Sequence, residues 1–203
     1  EGIANVDQID IKNANILGYK IKHLAIAELK NNKILQRVNP CMIKKYSYIS
    51  NINGVLNAIV VEGEPIGRFT IQGEGAGAGP TTSALVSDLC SVLRGNIKFT
   101  FSVPFKNRKK IRSIDISNEI FSSYIRLDVK DITGVLSKIT QVLSRNKISV
   151  KRLIQNPFKS KKYASIVIIS HEAKNSRLVK TIYDLGKLKF MINKPKLIRI
   201  EDI

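Results

Sequence analysis

The sequence predicts an α+β protein: a mainly antiparallel sheet with helices on one face, followed by a second module whose strands and helices run in the order βαββαβ. Three observations carry that reading. Strand-like runs at 19–27, 34–38, 54–62 and 66–72 are separated by the turn signals Asn31-Asn32 and Gly63-Glu64-Pro65, so that sequence neighbours pair as hairpins. Ala84, Leu85, Leu89, Val92 and Leu93 recur at helical spacing, which gives one apolar face. Beyond residue 122, strands at 124–129, 147–155, 164–170 and 196–200 alternate with helices opening at Asp131 and covering 176–185, which is the ferredoxin-like arrangement.

The elements follow in order. Asp7 suits an N-cap, the helix runs to about Leu17, and Gly18 closes it. The first strand places Ile21, His23 and Ala25 on one face and Lys20, Lys22, Leu24 and Ile26 on the other. The second strand is expected to stop at Asn39-Pro40, because proline has no ladder donor. Residues 44–53 read as polar and irregular. Phe99, Phe101, Val103 and Phe105 alternate with polar residues as a short strand would, inside a connection covering 96–122. Domains are therefore expected at 1–95 and 123–203.

The most informative stretch is Gly73-Glu74-Gly75-Ala76-Gly77-Ala78-Gly79-Pro80-Thr81-Thr82. Its glycines leave little side-chain bulk, so the backbone can approach a ligand or another backbone. Pro80 fits a first helical turn. Such a loop feeding a helix start offers free N–H groups and a positive dipole end, suited to a phosphate or a cofactor's polar edge. The spacing alone serves equally for close packing of the helix on a sheet, since it is neither GxGxxG nor GxxxxGK[ST].

Composition sets bounds. The chain has 203 residues, enough for one large or two small domains, and no apolar run of the roughly 18 residues that a membrane helix needs. Residue 1 is not Met and opens no signal or transit segment, so it is read as an interior point of a longer, soluble, cytoplasmic polypeptide. Cys41 and Cys90 sit in no metal-ligand spacing and read as reduced structural thiols. The formal charge of +18 is spread along the chain. Its densest runs, 106–112 and 159–162, lack interleaved aromatics and any nucleic-acid-binding signature, so they read as solvated loops rather than a nucleic-acid surface. His23, Glu1 and Glu62 have no sequence partner that would orient them for catalysis.

The run 54–63, Ile66-Gly67-Arg68 and 73–84 resembles the C-terminal part of a homoserine dehydrogenase catalytic region, as do Glu1-Gly2-Ile3, 17–27 and Arg37-Val38-Asn39-Pro40. The resemblance covers about residues 1–95. It implies an NAD(P)-dependent oxidoreductase that interconverts L-aspartate 4-semialdehyde and L-homoserine on the route to threonine, methionine and isoleucine. It also implies that the nucleotide-binding domain and the catalytic acidic and lysine residues lie upstream, so that no residue here is catalytic and the piece alone is inactive. Gly77 is then expected to touch the cofactor, with Gly75 and Gly79 shaping the loop, and the sheet to build a homodimer interface and the substrate-site floor.

Asp131-Ile132-Thr133-Gly134-Val135-Leu136 after a strand, and Asn146-Lys147-Ile148-Ser149-Val150 after a helix, resemble an ACT domain, a small amino-acid-sensing module. Thr133 stands where the family often has proline. Gly134 at the strand-to-helix turn would let an amino acid's carboxylate reach the helix N–H groups, with Asp131 accepting from its ammonium. By resemblance Thr133 and Val135 complete this loop, Ile148 and Ser149 of a neighbouring protomer close the site, and the effector is threonine. The assembly implied is a dimer or tetramer. The competing reading is a non-catalytic ACT-containing regulatory or nucleic-acid-binding protein.

Overall fold

The computed structural model describes residues 1–95, 103–157 and 162–203. It divides into two compact units, one formed by Glu1–Tyr46 with Ile111–Ile203 and the other by Ser47–Lys110. This division differs from the boundaries at 95 and 123 expected above. Its cause is the first hairpin, β1 (Tyr19–Lys30) and β2 (Lys33–Lys44), which joins the sheet of the C-terminal module. Cys41, Met42 and Ile43 of β2 are fully buried, and their strand pairs with the last strand of the chain.

That sheet combines β1 and β2 with β5 (Arg112–Ser113), β6 (Ile120–Lys130), β7 (Val150–Pro157), β8 (Tyr163–Ser170), β9 (Ala173–Lys174) and β10 (Lys196–Glu201). The main path runs β1-β2-β10-β6-β8-β7. Within it, β10-β6-β8-β7 is wholly antiparallel and has the expected ferredoxin-like order. Strand β2 adds to β10 in parallel, with Arg199 opposite Cys41 and Glu201 opposite Ile43. The short β5 pairs with β2, and β9 with β6.

Local chemistry explains the hairpin. Asn31 and Asn32 both take positive φ, 49° and 58°, as a two-residue turn between twisted strands requires. The register then runs from Lys30 opposite Lys33 to Tyr19 opposite Lys44. Strand β2 therefore continues through Asn39-Pro40 instead of ending there. Pro40 is tolerated because pairing of the other edge of β2 with β10 begins only at Cys41, so no ladder bond to β10 is lost.

Alternation along β6 sorts the two faces. Phe121, Ile125, Leu127 and Val129 point into one core, with Ile139, Leu143, Leu178 and Leu185 from α3 (Val135–Arg145) and α4 (Asn175–Gly186). Each such side chain contributes roughly 1.5–3 kcal/mol by leaving water. Tyr124 points to the other face with Val167, Ile198 and Met42, where α1 (Gln8–Ile16) supplies Ala14. The helices of this unit thus cover both faces of the sheet.

Tyr124 is joined there by Arg126 and Asp128, and all three are buried. The Arg126 Nε–H donates to Asp10 Oδ1 at 2.6 Å, and its two amino groups reach Asp7 and Asp128. The Tyr124 hydroxyl donates to Asp10 at 2.9 Å and accepts from Asn13 at 3.0 Å. Burial drives the Tyr124 phenol well above its ordinary range, while the Asp10 and Asp128 carboxylates hold Arg126 firmly protonated against its own desolvation. Asp10 is tied back to the helix start as well, because the Asp7 backbone N–H donates to it at 3.1 Å.

The second unit contains an antiparallel hairpin, β3 (Leu56–Gly63) with β4 (Gly67–Glu74), and the helix α2 (Ala78–Leu93). Gly63 lies opposite Gly67, as the turn signal at 63–65 predicts. The apolar face of α2 forms as expected but is uncovered: Leu85 is 66 % and Leu89 60 % exposed. Ile59, Val61, Phe69 and Ile71 of the hairpin are exposed too. Of the strand expected around Phe99–Phe105, Phe99 and Phe101 lie outside the described residues, and Phe105 opens a 3-10 turn through Asn107. No described helix is long and apolar enough to cross a membrane.

Removing one partner of a buried ion pair leaves the other charge uncompensated and costs about 3–5 kcal/mol, whereas replacing both with apolar groups does not. Arg126→Met is therefore expected to lower stability by that amount in urea denaturation, and Asp10→Leu combined with Arg126→Met to recover part of it, since the buried Asp128 still lacks its cation. A double variant no more stable than the single one would show that the network is not held by this pair.

Cys41 provides a check against pH. Burial foremost, and then the Glu201 carboxylate, push its thiol up to about 12. An unfolded thiol ionises near 8.5. Between those values the unfolded chain has lost a proton that the folded chain keeps, so this contribution to stability is intact below about pH 8.5 and falls as pH rises towards 12. Cys90 is only half-buried. Alkylation at pH 8 is expected to modify Cys90 in the folded protein and Cys41 only after denaturation.

Candidate functional site

Two sites follow from the sequence, one in each unit. In the second unit the glycine-rich loop leaves β4 at Glu74 and enters α2 at Ala78. Gly77 is the N-cap, with φ 127° and ψ 159°, a conformation that is essentially confined to glycine. It makes no side-chain cap, while its carbonyl already accepts from the Thr81 N–H at 3.1 Å. The first turn of α2 thus presents N–H groups with no capping side chain over them, at the positive end of a sixteen-residue helix.

The three glycines are not equivalent. A Cβ on Gly75 would fall 1.6 Å from the Asn57 Nδ2 of β3, so a side chain there would force Asn57 out of its present position. Its N–H donates to the Val55 carbonyl at 3.2 Å, which fixes the loop to the strand below. A Cβ on Gly79 would meet nothing within 4 Å, and one on Gly77 only the Pro80 ring at 3.5 Å. Open space therefore lies over Gly77 and Gly79, which fits close approach of a bulky anionic or polar group to this helix start.

In the first unit, Asp131, Thr133 and Gly134 form the exposed turn between β6 and α3. Gly134 takes φ 88° and makes no side-chain cap, so α3 also begins with an open first turn. The turn is anchored behind by two backbone bonds, Asp131 N–H to the Lys162 carbonyl at 2.9 Å and Lys130 N–H to the Phe190 carbonyl at 3.0 Å. Val135 is buried and pins the first turn of α3 to the core.

Ile148 and Ser149 lie past the far end of α3, about 16 Å away by the rise of an eleven-residue helix. The chain turns there with Lys147 at φ 58°, the Lys147 N–H bonding the Ser144 carbonyl and the Ile148 N–H the Leu143 carbonyl. This is a Schellman ending with lysine in the left-handed position that glycine usually fills. The Ile148 side chain is buried in the core, so only Ser149 and the backbone are open to a ligand. An open cleft of about 380 Å³ lies here, lined by Thr140, Ser144 and Lys147–Val150 among others. One chain thus does not bring the two predicted halves of the site together.

The remaining candidates have structural roles. His23 pairs across the hairpin with Pro40, and its Nε2 lies 3.1 Å from the Glu1 carbonyl. The Glu1 carboxylate forms an ion pair with Arg199 at 3.1 Å, and Glu62 with Arg68 on the adjacent strand. No metal-binding group of three or more His, Cys, Asp or Glu occurs among the described residues. Lys106 and Arg108–Arg112 are exposed, as expected of a solvated loop.

The βαββαβ sheet with an uncapped αL glycine at the start of its first helix has the architecture of an ACT domain, and residues 123–189 match the ACT domain family model. The segment before it is more particular: residues 1–90 match the family model described as homoserine dehydrogenase. Along its whole length the chain is similar to the C-terminal portion of such enzymes. It is 33 % identical over 202 residues to the homoserine dehydrogenase of Helicobacter pylori and 32 % over 209 residues to that of Neisseria gonorrhoeae, in both cases covering 100 % of this chain and 48 % of the relative. A crystal structure of a homoserine dehydrogenase from Thiobacillus denitrificans superimposes with a TM-score of 0.82 at 31 % identity, over 100 % of this chain and 47 % of that one. The chain thus spans about half the length of the relatives it matches.

The loop geometry predicts an ordered series. Gly77→Ala forces a side chain into a glycine-only conformation and is expected to cost about 1–3 kcal/mol, read as a lowered urea midpoint. Gly79→Ala is expected to be neutral for folding. Gly75→Ala is expected to destabilise, and Asn57→Gly in the same chain to rescue it. Equal effects at Gly75 and Gly79 would refute this assignment of their roles.

Proposed function

We propose that this chain is the substrate-site and regulatory half of an NAD(P)-dependent homoserine dehydrogenase, interconverting L-aspartate 4-semialdehyde and L-homoserine in the complete cytoplasmic polypeptide. The observation that carries the reading is the open backbone over Gly77 and Gly79 at an uncapped helix start, within residues 1–90, which match this family's model. Those two glycines would lie against the cofactor, whose nicotinamide ring supplies or accepts the hydride when bound. Gly75 holds the loop in shape through its fit to Asn57. Catalytic side chains come from the upstream half, so the 203 residues alone are expected to show no homoserine oxidation.

The exposed apolar faces of α2 and the β3–β4 hairpin support a larger assembly. Contiguous apolar surface of this kind marks an interface, and we assign it to the upstream half and to a second copy of the chain in a homo-oligomer.

The C-terminal module is proposed to sense threonine. The ligand carboxylate would take the free N–H groups at the start of α3, and Asp131 would accept from its ammonium. Two copies, placed so that Ser149 of one faces Gly134 of the other, would close the site. Calorimetric titration with L-threonine, with L-serine and L-lysine as controls, is expected to show saturable binding that Gly134→Val abolishes. Absence of binding to a folded, dimeric protein would overturn the sensing role.

A further inference from the structure

A second cleft, of about 340 Å³, opens between the β1–β2 hairpin and the sheet of the C-terminal module and is used by neither site above. Phe121 lines it, with the Arg37 guanidinium 5.1 Å from the centre of the ring. Arg37 is 6 % exposed and forms ion pairs with Glu201 at 2.8 Å and Glu28 at 3.4 Å, yet its Nε has no hydrogen-bond partner among the described residues. A buried donor left unpaired costs about 1–3 kcal/mol, and this one is enclosed by the protein's own atoms.

The other charges of the cleft fall into two groups. Lys30 pairs with Glu28 and Glu119, and Lys44 with Asp202. Lys151 and Glu172 line the same cleft, are exposed, and have no ionic or hydrogen-bond partner among the described residues. What is left over is therefore one cation and one anion on a cleft that also carries Leu35, Ile120 and Phe121.

We propose that this cleft binds a small zwitterion of the α-amino-acid class. Its carboxylate is received by Lys151, its ammonium by Glu172, and its side chain rests on Ile120 and the edge of Phe121. An isolated anion or cation meets only one of the two unpaired charges, and the opposite one repels it. The site is independent of the threonine reading, because none of its residues belongs to the turn at 131–135.

The test is nitrogen-15 NMR of the full chain titrated with L-leucine, with glycine, acetate and methylammonium as comparisons. L-Leucine is expected to shift the backbone amides of Phe121, Lys151 and Glu172 saturably. Acetate and methylammonium are expected to bind at least about tenfold more weakly. Lys151→Glu and Glu172→Lys, both at exposed positions, are each expected to weaken L-leucine about tenfold, equivalent to about 1.4 kcal/mol. Shifts confined to residues 131–135, shifts indifferent to both substitutions, or none at millimolar ligand would each overturn the proposal. Loss of threonine binding at Gly134→Val with the cleft shifts intact would separate the two sites.

Discussion

The ion pair between Arg126 and Asp10 is the constraint on which the first unit depends. It joins a strand from the middle of the C-terminal module to a helix at the start of the chain. A guanidinium without exposure needs its donors filled, and Asp7, Asp10 and Asp128 fill them from three directions. Because Asp10 also accepts from Tyr124 and from the Asp7 N–H, α1 has few ways to sit on the sheet that keep every group paired. An apolar face could slide; this one is held in register.

The same arrangement ties the turn between β6 and α3 to the rest of the unit. Asp128 is three residues from Asp131 along β6, and its backbone carbonyl accepts from Ile192 while its carboxylate accepts from Asn193 as well as Arg126. A displacement of the turn therefore acts on a strand whose polar face is gripped by α1. Coupling between two sites needs a contiguous element with more than one arrangement. Strand β6 is contiguous from the turn at 131–135 to the face on which Arg126 holds α1.

Much of this was legible in the sequence, and the reasons for the rest are physical. Local signals were enough for α1 with its Asp7 cap, for the Asn31-Asn32 hairpin, for the glycine-loop entry into α2 and for the βαββαβ order, because each depends on residues a few positions apart. The addition of β2 to β10 depends on residues about 160 apart and leaves no local trace. Pro40 misled for that reason: whether a proline ends a strand depends on which edge is in use. Arg126 and Asp128 alternate with Ile125 and Leu127, a pattern that says solvent-facing unless a partner is known. Their burial could have been suspected from Tyr124 on the same face, but not their partner helix. At the glycine loop, spacing could not separate Gly75, which serves the hairpin, from Gly77 and Gly79, which leave space; only the position of Asn57 does.

The sheet order also bears on how such a chain is made. The first hairpin emerges from the ribosome nearly a whole chain ahead of β10, the strand that pairs with it. Until then β2 carries an unsatisfied edge and three apolar residues with nothing to cover them, the kind of surface that draws in other chains. The basic character of the hairpin, with Lys20, Lys22, Lys30, Lys33 and Arg37 along its two strands, supplies mutual repulsion between nascent copies during that interval. The charge of the hairpin thus acquires a use in time, as a guard on an edge that waits for its last partner to be synthesised.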